Sequence, residues 1–281
     1  MRRQLGIIGA CVLAAASATA DEARLAEVLA AQPEEAQARY DARHPQETLT
    51  FFGIEPGMTV VEALPGGGWY TKILLPYLGD DGSLIGANYA QDMWPLFGFF
   101  SEERIEQMKT WTTDFVAGAE EWKGGAAPEV SAFILGSLPE EMHGKADAVL
   151  FVRALHNLSR FEDQGGFMTK ALADAHTVLK PGGIVGVVQH EAPADKPDAW
   201  ASGARGYLKK RTLIERMEAA GFEFVGESTV NENPNDQPGE DDIVWRLPPS
   251  LTTSREDAAL REQMSAIGES HRMTLKFRKP A

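Results

Sequence analysis

The stretch from Met58 to Thr71 reads MTVVEALPGGGWYT. An apolar run (Met58, Val60, Val61) ends in Glu62, a glycine cluster follows (Gly66, Gly67, Gly68), and a helix-like segment runs from Trp69 to Leu78. Strand, glycine turn and helix in this order present free backbone N–H groups and a positive helix end to a ligand. Glycines let a ligand lie against the backbone, where a Cβ would intrude. Glu62 at the strand tip is placed to take hydrogen bonds from an amine or a hydroxyl. The stretch therefore points to a small polar ligand with an adenosine-like or amino-acid-like part. A tight strand–helix connection with no ligand is the other reading of the same glycines.

Outward from this stretch, apolar runs alternate with helical patterns. Strands are predicted at Ser83–Tyr89, Val130–Leu135, Ala146–Leu155, Ile184–Gln189 and Phe222–Val230, with a last one near Arg272–Arg278. Helical patterns fall at Asp163–Leu179, with Lys180–Gly183 as stop and turn, at Gly206–Ala220, and near Arg255–Ile267. The alternation predicts a mostly parallel sheet with helices on both faces. In such sheets ligands bind outside the carboxyl ends of the strands. Glu62, Asn88, Gly136, His156-Asn157 and His190-Glu191 all fall at predicted carboxyl ends, and this convergence is the main argument for a functional cleft. Asn88 stands 20 positions past Gly68, about the reach to the ribose end of a nucleoside in a β-α-β unit.

The N-terminus reads differently. Met1-Arg2-Arg3, an apolar stretch from Leu5 to Ala16 and an Ala-x-Ala site at Ala18 and Ala20 describe a secretory signal over residues 1–20. The apolar stretch is short for a bilayer span. The expectation is an exported, periplasmic protein whose single mature domain covers 21–281. It begins with a helical segment (21–53), divided at Pro33, and carries a polar surface insertion (231–254). Cys11, inside the signal, is the only cysteine, which removes disulfides, thiol nucleophiles and thiolate metal sites from the mature chain. The formal charge is −14; such a surface repels phosphate backbones, so nucleic acid is not an expected partner. No integral membrane segment is expected after signal cleavage, and the sequence does not indicate an oligomeric state.

With these residues in view, the chain from Arg39 to Pro280 resembles the class I S-adenosylmethionine-dependent methyltransferases. Glu62-Ala-Leu-Pro-Gly66-Gly-Gly68 looks like their first motif, LKPGG (Leu179–Gly183) is common among them, and Gly206–Phe222 looks like their late helix and turn. Arg43–Leu78, Leu155–Asn157 and Lys276–Pro280 resemble a narrower group of exported bacterial predicted methyltransferases. The resemblance implies a Rossmann-like, doubly wound, mostly parallel seven-stranded α/β sheet with its last strand antiparallel, and S-adenosylmethionine as cofactor. It also implies roles. Pro65 to Gly68 would contact the methionine part, Glu62 its ammonium, Asn88 the ribose and Gly136-Ser137 the adenine, while His156 and Asn157 would lie near the transferred methyl. Two positions depart from the pattern: Leu64 stands where a glycine is usual, and Asn88 where an acid is usual.

Among single residues, His156 is a candidate general base and otherwise a histidine lining the cleft. His190 with Glu191 is a second base or orienting pair, and otherwise a solvated strand end. Arg43-His44 is placed to close over a carboxylate, or is a charged helix end. Trp69 reads as core and Tyr70 as bordering the cleft. Trp94, Phe97, Phe99 and Phe100 read as a hydrophobic lid or a satellite core. His44, His156, His190 and Glu191 form no short spaced pair, so no metal site is expected. The leading functional expectation is methyl transfer to a small molecule. The alternative is a non-catalytic exported small-molecule-binding protein on the same fold. A hydrolase on the same scaffold is a weaker third reading, because the chain has no G-x-S-x-G turn.

Overall fold

The computed structural model describes residues 21–123, 125 and 128–281; the expected signal over 1–20 lies outside them. Seven strands form one sheet: β1 (Thr59–Ala63), β2 (Ser83–Asn88), β3 (Glu129–Ile134), β4 (Ala146–Val152), β5 (Leu179–His190), β6 (Glu223–Ser228) and β7 (Arg272–Arg278). Their order is β3-β2-β1-β4-β5-β7-β6. The first five are parallel, and β7 runs antiparallel to β5 and β6. The expected doubly wound, seven-stranded α/β architecture with an antiparallel last strand is the one present.

Period-two alternation explains the two layers of helices. Val60 and Val61 are both buried, but Val60 packs with Leu84 and Leu150 on one face and Val61 with Ile85 and Phe151 on the other. The first face is covered by residues 21–30 and the helices Pro45–Phe52, Thr71–Leu78 and Trp111–Trp122; the second by Leu155–Arg160, Phe167–Val178 and Lys210–Ala219. A strand buried on both faces reads as a continuous apolar run, which is why β1 and β4 were legible. Between β1 and β4 the chain reverses its direction of winding across the sheet, the position where open α/β sheets form a crevice. Among the described residues no helix is long and apolar enough to cross a membrane.

Three expectations are corrected. β4 stops at Val152, because Arg153 adopts φ 55° and turns the chain; His156 and Asn157 therefore sit in the first turn of the helix Leu155–Arg160. Residues 180–183 lie inside β5: Ala146 pairs with Leu179 and Ala148 with Ile184, so the Pro-Gly-Gly turn loops out of one continuous strand. Residues 231–254, expected at the surface, contribute buried groups. The Asp236 carboxylate, fully buried, accepts from Arg246 (2.7 Å) and from the backbone N–H of His271 (3.0 Å). Asn231 Nδ2 donates to Thr48 and Thr274, both at 3.0 Å. A polar composition predicts solvation; these polar groups instead satisfy one another in the interior.

Candidate functional site

A cavity of about 420 Å³ opens at the carboxyl ends of β1, β4 and β5. Its floor is the turn Leu64–Gly67 after β1. Val152, Arg153, His156 and Asn157 after β4, with His190 at the end of β5, form one wall. Arg39, Arg43 and Trp69 face them, Glu269 and Ser270 close the side, and Val244–Trp245 with Leu247–Ser250 form a roof. The size suits a small ligand.

The turn owes its shape to backbone conformation. Gly66 has φ 58°, and a Cβ on Gly66 or Gly67 would meet only open space or ordinary contact distance. Leu64 holds φ 56°, a left-handed conformation that costs a branched side chain roughly 1–2 kcal/mol. Gly68 is different: a Cβ there would come within 2.7 Å of the Trp122 ring. The turn is thus open toward the cavity at Gly66–Gly67 and covered by an indole at Gly68.

One carboxylate organises the arginines. Glu269 accepts from Arg39 (Nε at 2.9 Å, and Nη2), from Arg43 Nε (3.2 Å) and from Arg272 Nη1 (3.2 Å). Burial opposes its ionisation, but the charges of Arg43, Arg272 and Arg153 and the hydrogen bond from Arg39 hold its pKa below the ordinary range. Arg43 also lies 4.6 Å over the Trp69 ring. Burial, and then the charge of Arg153, lower its pKa to about 10. Arg153 has no ion-pair or hydrogen-bond partner for its side chain among the described residues, and its Nε is a buried donor without an acceptor.

The two histidines lie with ring centroids 5.5 Å apart. Gln189 spends its Nε2 on Gly206 O (3.0 Å), which leaves Oε1 to accept from His156 Nδ1 at 3.4 Å. That contact assigns the proton to Nδ1 and leaves the Nε2 lone pair free. Burial, with the charges of Arg153 and Arg160, lowers the His156 pKa to about 4, so the ring is neutral at physiological pH. His190 meets Ser270 Oγ at 2.5 Å; burial, His156 and Arg153 hold its pKa well below the ordinary value.

Of the residues expected at the site, Pro65, Gly66, Gly67, Arg43, His156, Asn157 and His190 line the cavity. The others do not. Glu62 is buried and accepts from Thr71 Oγ1 at 2.6 Å. His44 is the left-handed junction between two helices. Asn88 Oδ1 accepts from the N–H of Tyr89 at 2.8 Å. The Gly136 N–H donates to Asp174 at 2.6 Å, and Ser137 beside it is exposed. Trp69 and Tyr70 exchange their expected places: Trp69 lines the cavity and Tyr70 is buried beside it. Glu191 pairs outward with Lys210 and His271.

The separation has a physical cause. The Tyr89 hydroxyl accepts from Asn157 Nδ2 at 2.8 Å. Tyr89 follows β2 and Asn157 follows β4, and β1 lies between those strands, so this bond spans the end of β1. Behind it Tyr89 packs on Trp94 and Phe97, which join Phe100 and Phe161 in one aromatic cluster. Phe99 extends from that cluster into solvent.

Sequence reading missed Arg153, Glu269, Ser270 and the 244–250 roof. Arg153 did leave a signal: a lone arginine at the end of the apolar run ADAVLFV. Glu269 and the roof left none, because their role arises from the long-range approach of β7 to the helix end at Arg43.

Comparison with protein-family models finds no match, and comparison with curated proteins finds none. Among solved structures, the chain is similar to the [4+2]-cyclase SpnF, with 18% identity over 85% of this chain and 81% of that one, at a TM-score of 0.54. It is also similar to a SAM-dependent methyltransferase from Aquifex aeolicus (18% identity, 74% and 93% covered, TM-score 0.48). A third is the 1,6-didemethyltoxoflavin-N1-methyltransferase of Burkholderia thailandensis (13% identity, 100% and 94% covered, TM-score 0.47). The likeness to the first is one of fold, and the fold is the Rossmann-like methyltransferase fold.

Proposed function

We propose that the protein transfers a methyl group from S-adenosylmethionine to a small molecule held in the 420 Å³ cavity. The observation that carries this reading is the position of that cavity, at the switch point between β1 and β4, with a glycine turn on one side and a neutral histidine lone pair on the other.

The residues present fit one end of this cofactor. Pro65, Gly66 and Gly67 leave room against the backbone for the methionine end. The adenosine end, which the resemblance assigns to Asn88, Gly136 and Ser137, does not fit the arrangement described: the Tyr89–Asn157 bond stands between those residues and the cavity. Occupation of both ends requires that bond to open. When bound, the cofactor supplies an electrophilic methyl group. The chain's own contribution is positioning, which alone accounts for much of the rate in such a displacement, and proton removal. His156 Nε2 accepts the proton that the acceptor loses. Its low proton affinity, set by burial and Arg153, suits an acceptor whose own proton is acidic. Gln189 holds the ring in the required tautomer. His190, fixed by Ser270, presents a second neutral ring beside it.

Calorimetry with S-adenosylhomocysteine tests the reading. One-site binding is expected, and absence of heat at millimolar ligand, with the protein shown folded by circular dichroism, overturns it. We also read the chain as exported on residues 1–20; N-terminal sequencing of the protein recovered from the periplasm is expected to begin at Asp21.

A further inference from the structure

We infer that the cavity is an oxyanion site, and that the molecule modified there carries a carboxylate or phosphate group gripped by Arg153. That the bound molecule is modified, with His156 taking its proton, rests on the methyl-transfer reading; the anion site itself stands on the charges and hydrogen bonds of the cavity.

Arg39, Arg43, Arg153 and Arg272 gather around one carboxylate, Glu269, the only acidic group among the described residues that line the cavity. The excess is cationic in a chain whose formal charge is −14. Three of the arginines are bound to Glu269, and Arg153 is not. The histidines beside it add no charge, since both are neutral. Like charges in a low-dielectric site repel, and an anion relieves that repulsion.

The unmet hydrogen bonds point the same way. Arg153 Nε and Trp69 Nε1, in two residues that line the cavity, are buried donors without acceptors, and Arg272 Nε is another. Among the described residues, no cavity-lining side-chain acceptor is orphaned in this way. Arg153 has no side-chain partner among the described residues, and a partner for a guanidinium has to offer acceptors. A guanidinium with its fork free matches the two oxygens of a carboxylate or phosphate. Arg153 lies on the β4 side of the cavity with His156, whereas the glycine turn is on the β1 side, so an oxyanion on Arg153 sits beside the histidine that accepts the proton.

The test uses the full chain at low ionic strength. Sodium phosphate and sodium malonate are titrated separately, with sodium chloride matched in ionic strength as control, and followed by thermal unfolding and calorimetry. A ligand bound only by the folded state raises the unfolding temperature. Saturable stabilisation by at least one of the two oxyanions beyond the chloride control is expected. It should weaken at least tenfold in Arg153→Met and stay unchanged in Arg211→Met, where an exposed arginine is removed. Tighter phosphate or tighter malonate binding each supports the site and separates the two sources of the chemistry. Stabilisation no greater than with chloride, or equal in Arg153→Met, overturns it. Should Arg153→Met fail to fold, Arg153→Lys, which keeps charge without the fork, takes its place with the same expectation. Loss of oxyanion binding under saturating S-adenosylhomocysteine also overturns it, because the site would then serve the cofactor's own carboxylate. Oxyanion binding with no response to S-adenosylhomocysteine removes methyl transfer and leaves this site standing; the reverse pattern removes this site alone.

Discussion

At the carboxyl ends of β1, β4 and β5 the sheet edge is open, cationic and short of acceptors: Gly66 and Gly67 face space, and Arg153 and Trp69 hold donors without partners. At the ends of β2 and β3, a few residues away, the same edge is closed by its own side chains. Tyr89 bonds Asn157, and Trp94 and Phe97 pack behind it. The two halves differ in what can fill them. Aromatic rings can close on each other and lose nothing, since dispersion and burial favour contact. In the charged half Glu269 holds Arg39, Arg43 and Arg272 by hydrogen bonds, while Arg153 has no side-chain partner among the described residues. The crevice at this switch point is therefore open on one side and closed by the protein's own side chains on the other.

The largest expected effect tests the charged half. Glu269→Gln removes the one carboxylate that holds Arg39, Arg43 and Arg272. Leaving buried charge uncompensated costs about 3–5 kcal/mol, so urea unfolding should show a loss of that size, partly restored by phosphate. A loss below about 1 kcal/mol would mean that the arginines are hydrated and the contrast between the halves is not one of burial.

A smaller effect concerns Glu62, sealed beneath the boundary between the halves. Burial raises its pKa from 4.5 to about 7. Its contribution to stability is therefore full below about pH 4.5 and is lost as pH rises through about 7. His156 acts in the opposite sense: with its pKa lowered to about 4, its contribution is present above about pH 6.5 and is lost as pH falls through about 4. Glu62→Gln removes the first term only. Relative to the native protein it should gain about 3 kcal/mol between pH 4.5 and 8 in chemical denaturation, by the linkage of proton binding to folding. A pH-independent difference would show Glu62 to be in contact with water and the boundary to be porous.

The smallest effect sharpens the closed half. Tyr89→Phe deletes the hydroxyl that Asn157 holds. If the bond must break on binding, its removal lowers the cost by about 1 kcal/mol, and calorimetry should show S-adenosylhomocysteine binding about fivefold tighter. Unchanged affinity would mean that the ligand passes without disturbing Tyr89.

Much of the frame could be read from residues alone. MTVVEALPGGGWYT set a strand, an open turn and a helix in their true order, and the apolar runs of β2, β4 and β5 placed the strand ends to within a few residues. His156, Asn157 and His190 were legible because each follows such a run directly. Glu62 and Asn88 were located at strand ends correctly, but their local bonds turn them away from the cavity. Arg153 stayed hidden for a related reason. Inside an apolar run a single arginine reads as strand, while its left-handed backbone, visible only in three dimensions, makes it the corner that begins the site.

The sequence by itself determined the alternation of strands and helices, the glycine turn and the acidic surface, because periodicity, backbone freedom and composition act locally along the chain. Tertiary structure alone decided which half of the crevice is open. That outcome depends on pairs far apart in sequence, Tyr89 with Asn157 and Arg43 with Glu269, whose energies exist only once the fold has brought them together.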